Sequence, residues 1–285
     1  MKQALEAARL AGASERMQRQ ILNNVARILP DFPLTLSPPQ MGRTIHKIVR
    51  SISKNHDPYL KIKEKSNRLA LGIYNKLKRK ISHSDDRLLM ALELAIAGNI
   101  IDYGVKNSLN IEAELKSILA KEDKAIRNKK KATFNYISFK QTLKKAKTIL
   151  YLGDNAGEVV FDRVLIEEIK RIDKSKRVIY AVKERPIIND ALIDDAHRCG
   201  IDKIAEVISS GSDAPGTVLS LCKKKFLKIY NEANMIISKG QGNFESLSNA
   251  KKGIFFLFMA KCPIIAKEVG CDVGNINLLY EPVKR

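Results

Sequence analysis

Apolar residues recur every three to four positions over 3–10, 15–29, 40–52, 58–81, 85–101 and 111–119. That is the spacing of helices that bury one face. Pro33, Pro38 and Pro39 interrupt the series with an extended linker, and Asp57-Pro58 and Ser84 have the form of helix starts. After the basic segment 124–131 the pattern changes. Short β-branched runs at 148–152, 177–182, 204–208, 235–238, 254–259 and 276–280 alternate with helical stretches at 158–172, 190–199, 216–233, 244–249 and 263–269. Such alternation predicts a mostly parallel sheet with right-handed crossovers. The expected organisation is an all-α part over 1–125 followed by an α/β domain over 126–285.

Chemistry concentrates where the first of these strands ends, in Leu150-Tyr-Leu-Gly-Asp-Asn-Ala-Gly-Glu-Val-Val160. A short apolar run breaks there into two oxygen-bearing side chains, Asp154 and Asn155, and then into a helix start at Glu158. Open α/β sheets bind ligands in the crevice outside the carboxyl ends of their strands, and free N–H groups at a helix start favour an anion. The same residues also suit a plain strand-to-helix turn in which Asp154 or Asn155 caps the helix.

The loops after the next strands are polar as well. They are Lys183-Glu-Arg-Pro-Ile-Ile-Asn-Asp190, Ser209-Ser-Gly-Ser-Asp-Ala-Pro-Gly216 and Lys239-Gly-Gln-Gly-Asn-Phe-Glu245. A doubly wound sheet brings them to one edge beside Asp154 and Asn155. A hard cation wants carboxylate and carbonyl oxygens, which Asp154, Asn155 and Asp190 could supply. Lys239 offers a point charge for a phosphate, with Gly157 and Glu158 at the opposite helix start. Ser212 and Asp213 could bind substrate hydroxyls, although Ser-Asp before Ala-Pro-Gly is also an ordinary helix start. Glu245, like Asp154 and Glu158, could take a proton from water.

Composition narrows the classes. The 285 residues are 45% hydrophobic, enough for a sizeable core, and no apolar run reaches the length of a membrane helix. The N-terminus lacks the apolar core of a secretory signal, so a cytoplasmic protein is expected. Four cysteines, Cys199, Cys222, Cys262 and Cys271, have no metal-ligand spacing and are expected to be reduced. His46, His56, His83 and His197 share no spacing and read as structural. Lys plus Arg exceed Asp plus Glu by 51 to 31, a net +20. That excess keeps a basic nucleic-acid-binding protein in view, but its runs carry no interleaved aromatics, so nucleic acid is disfavoured as a partner. A non-catalytic nucleotide or small-molecule binding module is the other rival; against it, no Gly-x-Gly-x-x-Gly or Walker lysine follows the first strand.

Taken together, Gly153-Asp-Asn-Ala-Gly-Glu158, Pro186-Ile-Ile-Asn-Asp190, Gly211-Ser-Asp-Ala-Pro-Gly-Thr217 and Ser238-Lys-Gly-Gln-Gly-Asn-Phe-Glu245 resemble the damage-control phosphatase family. In the helical part, Asp57-Pro-Tyr59, Lys61-Ile-Lys-Glu-Lys-Ser-Asn67 and Ala95-Ile-Ala-Gly-Asn-Ile-Ile-Asp102 resemble its stand-alone microbial members. The resemblance implies a Rossmann-like three-layer α/β/α domain preceded by an all-α domain. It further implies a divalent-metal-dependent phosphatase, using magnesium, manganese, cobalt or nickel, that hydrolyses phosphomonoesters of small metabolites such as sugar phosphates or damaged cofactors. On it, Asp154, Asn155 and Asp190 hold the metal, Lys239 contacts phosphate, and Asn99 and Asp102 reach over the substrate or else pack and cap their helix. Members of this type carry a Cys-x-x-Cys segment just before the stretch that here reads Gln3-Ala-Leu-Glu-Ala-Ala-Arg9; this chain opens on Met1-Lys-Gln.

Overall fold

The computed structural model describes residues 1–33, 35–101, 113, 117 and 133–282. All of the expected helix at 111–119 but residues 113 and 117, and the candidate residue Asp102, lie outside the described residues. Five helices open the chain: α1 (Lys2–Leu10), α2 (Glu15–Ile28), α3 (Pro38–Ser53), α4 (Leu60–Ser82) and α5 (Arg87–Ala97). Their starts follow local chemistry. Ser14 and Asp86 cap α2 and α5 through side-chain oxygens, and α3 begins on two prolines behind the Ser37–Gln40 capping box. The first three helices share a core of Ala4, Ala8, Ile21, Val25, Ile45 and Val49.

From residue 133 onward come α6 (Tyr136–Lys145), β1 (Thr148–Leu152), α7 (Glu158–Ile172), β2 (Arg177–Val182), α8 (Ile193–Arg198), β3 (Glu206–Ser209), α9 (Lys224–Glu232), β4 (Met235–Lys239), α10 (Gln241–Leu247), β5 (Ile254–Met259), α11 (Pro263–Val269) and β6 (Ile276–Glu281). Strand order is β3-β2-β1-β4-β5-β6, parallel throughout except for β6, which runs antiparallel to β5 at the edge. The order reverses between β1 and β4, which opens a crevice at their carboxyl ends.

Two apolar layers flank the sheet. Leu150, Leu152, Ile236 and Phe256 meet Phe226, Tyr230, Phe244 and Ile265 on one face. On the other, Ile149, Tyr151, Ile237 and Phe255 meet α7, and α4 and α5 belong to this same core. Helix α5 is buried on nearly every side, as its run Leu-Leu-Met-Ala-Leu-Glu-Leu-Ala-Ile-Ala demands. The Rossmann-like three-layer α/β/α architecture with preceding helices is therefore the fold of the chain. The expected helix over 216–233 is shorter: Leu219–Leu221 is a 3-10 turn, and regular helix begins only at Lys224. Gly216 explains part of this, since its φ is +75° and a Cβ there would lie 2.2 Å from the Gly242 carbonyl oxygen.

Candidate active site

Strand β1 delivers Asp154 and Asn155, and the β2 loop delivers Asp190. Three backbone hydrogen bonds knit the two loops together: Gly153 N–H to Ala181 O at 2.9 Å, Ala191 N–H to Asp154 O at 2.8 Å and Ala156 N–H to Asn189 O at 2.8 Å. Asn155 and Asp190 form an isolated antiparallel bridge. Ile188 holds a φ of +45°, costly for a β-branched residue, at the bend that turns Asp190 back toward β1. From the other side Gly240, at φ +82°, lets the end of β4 press on Asp154.

These turns form the floor of a cleft of about 440 Å³. Asp154, Asn155, Asp190, Gln241, Glu245 and Lys261 supply its polar lining, while Pro38, Pro39 and Gly42 of α3, with Ile188 and Pro215, supply an apolar wall. Asp154, Asn155 and Asp190 are 8%, 6% and 3% exposed. Burial pushes the Asp154 carboxyl well above the ordinary range, and the carboxylates of Glu158 and Asp190 add to the effect. Burial likewise raises Asp190, to about 6, although Lys183 and Lys261 pull it down. Asp190 Oδ2 is buried without a hydrogen bond, 3.6 Å from Lys183 Nζ. Among the described residues no three His, Cys, Asp or Glu side chains form a metal cluster. The donor set here is two carboxylates and an amide, all oxygen. Carboxylates that repel one another, one with an oxygen no donor satisfies, suit a hard cation.

Other candidate residues take different places from those expected. Lys239, 1% exposed, does not line the cleft; it donates to Glu158 Oε2 at 3.2 Å and Asp162 Oδ1 at 2.6 Å. Burial alone would lower its pKa, but Asp162 and Glu158 carry it above the ordinary lysine value. Gly157 N–H is occupied by Asn67 Oδ1 of α4 at 2.7 Å. Glu158 lies behind Asn155, and Asn99 reaches it from the end of α5 at 2.6 Å instead of covering the cleft. Ser212 Oγ accepts from Ala214 N–H, and Asp213 pairs with Arg43 of α3, so both serve the loop and its junction with the helices. Glu245 does line the cleft, its Oε1 accepting from Gln241 at 2.7 Å, and burial raises its pKa.

Two lysines escaped the sequence reading. Lys183 directly follows β2 and is 2% exposed, donating to Gly216 O at 2.5 Å and facing Asp190. Lys261 follows β5 and lines the cleft. The available signal was position: each sits within two residues of a parallel strand's carboxyl end.

Fold and site together define a Rossmann-like protein with an oxygen-donor cluster and two lysines at its switch-point crevice. Residues 1–276 match the family model described as damage-control phosphatase ARMT1-like domain, and the chain belongs to that family. It is 41% identical to a damage-control phosphatase of Pyrococcus horikoshii over 81% of this chain and 77% of that protein. It is 35% identical to a damage-control phosphatase of Archaeoglobus fulgidus, over 83% of this chain and 80% of that one. A crystal structure of a DUF89-family protein from Pyrococcus horikoshii superposes with a TM-score of 0.85 at 32% identity, covering 99% of this chain and 95% of that chain.

Proposed function

We propose that the protein is a divalent-metal-dependent phosphatase that hydrolyses phosphomonoesters of small metabolites. The observation that carries this reading is the buried trio Asp154, Asn155 and Asp190 at the floor of a cleft whose other charged lining residues are Lys261 and Glu245. Asp154, Asn155 and Asp190 would hold the cation; a bound cation supplies charge neutralisation for a phosphoryl group and acidifies water. Its all-oxygen donors favour magnesium or manganese.

Lys261, with Lys183 behind Asp190, is the cationic partner for the transferring phosphoryl, where positioned positive charge stabilises the transition state. Lys239 supports Glu158 from below. Glu245, held by Gln241, is the carboxyl of the cleft outside the cation trio and the candidate for proton transfer. A cleft of about 440 Å³ suits a small substrate, and the wall of Pro38, Pro39, Ile188 and Pro215 suits an apolar or ring face on the part that leaves. The match to 4'-phosphopantetheine phosphatase of Mus musculus, 25% identical over 59% of this chain and 23% of that protein, supports phosphorylated cofactor fragments as members of a test panel. No helix among the described residues is long and apolar enough to cross a membrane. The four cysteines are thiols and not disulfides, and a reducing, cytoplasmic setting is proposed on that ground.

The test is phosphate release from an aryl phosphate and a panel of sugar and pantetheine phosphates, using metal-stripped protein resupplied with magnesium, manganese, cobalt or nickel. Asp154→Ala and Asp190→Ala should each lower metal-dependent kcat/KM by more than about a hundredfold, since even supporting groups of metal sites cost about 10–100-fold. Folded wild-type protein with no turnover on any metal would return the binding-module reading.

A further inference from the structure

Glu158 is the first residue of α7 and is 1% exposed, yet it does not line the cleft. Donors converge on its carboxylate. Oε1 accepts from Asn155 Nδ2 at 3.0 Å and from Asn99 Nδ2 at 2.6 Å, and Oε2 accepts from Lys239 Nζ at 3.2 Å. Lys239 is fixed in turn by Asp162, which receives the hydroxyls of Tyr151 and Tyr180 at 2.7 Å each. A carboxylate offers only acceptors, so the end of the Asn155 amide that faces it must be the NH2. The amide is planar and has two ends. With its nitrogen on Glu158, its oxygen is the opposite end of the amide, and Asn155 lines the cleft together with Asp154 and Asp190.

We propose that Glu158 is a positioning residue that locks the Asn155 amide with its oxygen toward the cation, and that Asn99 and Lys239 hold Glu158 in place for that purpose. The inference rests on the cation-binding reading of Asp154, Asn155 and Asp190. It removes Glu158 from the candidates for proton acceptor, because both its oxygens are engaged by donors and it stands outside the cleft. It also gives Asn99, from the helical half, a part in the site without contact with substrate.

The experiment is Mn2+ binding to metal-stripped protein, read as free Mn2+ by electron paramagnetic resonance, with thermal unfolding recorded for each variant. In Glu158→Gln the single side-chain oxygen is drawn to the Lys239 ammonium and the NH2 is left facing Asn155, so the Asn155 amide turns over and offers N–H to the cation; Mn2+ affinity should fall about 10–100-fold. Adding Asn155→Asp should restore most of the affinity, because either carboxylate oxygen can face the cation while the other accepts from the Gln side chain. Asn155→Asp alone sets two carboxylates against each other and should bind Mn2+ more weakly than the double variant. A role of charge alone predicts the reverse order, since Asn155→Asp alone carries the extra negative charge. That comparison carries the test even if Glu158→Gln does not fold. Glu158→Gln binding Mn2+ like wild type, or Asn155→Asp binding as tightly as the double variant, would overturn the positioning role and leave the proposed function standing. Wild-type protein that takes up no Mn2+ would overturn both.

Discussion

Gly240 shows how tightly single residues are fitted around Asp154. A Cβ at Gly240 would lie 1.9 Å from Asp154 Oδ2, so Gly240→Ala must displace the carboxylate or the end of β4. Displacements near 1 Å at a reacting centre cost up to about a hundredfold, and a loss of kcat/KM of tenfold or more is expected. Gly270→Ala is the control: its φ of +74° carries the same conformational penalty with nothing within 4 Å, so stability should drop slightly and activity stay unchanged. Titration gives a second expectation. Asp190 has its pKa raised from 3.8 to about 6, so the metal-free folded state holds a proton that the unfolded state has released. Its stabilising contribution is fully present below pH 3.8 and is lost as pH rises through about 6. Metal-free protein should therefore lose, between pH 5 and 7.5, stability that Asp190→Asn keeps, and Mn2+ should return it at the higher pH. Denaturant unfolding at the two pH values, with and without Mn2+, checks the sign. That Asp154, Asn155 and Asp190 meet in one cleft was legible in the sequence, because each lies in a polar turn beyond a strand. Which lysine faces the cleft was not legible: what captures Lys239 is Glu158 and Asp162, 81 and 77 residues away in the chain.

At the scale of elements, periodicity worked wherever one face of a segment meets the core and failed where loops borrow apolar residues. Val218, Leu219 and Cys222 mimic helical spacing, but the loop that carries them packs against the sheet-side core without forming a helix. The sequence pattern does not announce helix α6, since only Phe139 and Leu143 of it are buried and its isoleucine, Ile137, faces solvent. The antiparallel turn of β6 was also hidden, because an edge strand paired to β5 has the same apolar content in either direction. Contact between α5 and α7 is the element-level junction that matters most to the site. A Cβ at Gly98 would lie 2.7 Å from Phe161 Cγ, and the next residue is Asn99, whose amide reaches Glu158. Gly98→Val should push the end of α5 off α7, destabilise by about 1–3 kcal/mol through overpacking, and weaken Mn2+ binding as well. A loss of stability with unchanged Mn2+ affinity would separate the junction from the site.

Across the whole molecule, the helical half and the sheet share one core and several polar clamps, so the site belongs to both. Arg50 donates to Pro186 O at 2.8 Å, Arg43 pairs with Asp213, and Asn67 joins Gly157 N–H to Asp195 Oδ1 at 2.7 Å on each side. The net charge of +20 favours encounter with anionic molecules at low salt. Asn67 is the clamp closest to the chemistry, because Gly157 closes the turn that carries Asp154 and Asn155. Asn67→Ala would leave the Gly157 N–H buried without an acceptor, at a cost of about 1–3 kcal/mol. Relief of that cost requires the turn to move, so Mn2+ affinity and kcat should fall together with the unfolding temperature. Arg198→Ala breaks a link between the same halves, to Glu64, but side chains 60% and 39% exposed contribute little; all three quantities should stay near wild type. If Asn67→Ala lowered only the unfolding temperature, the helical half would be a cover over a self-sufficient sheet edge. If Mn2+ affinity fell with it, the helices would be part of the machinery that holds the cation ligands.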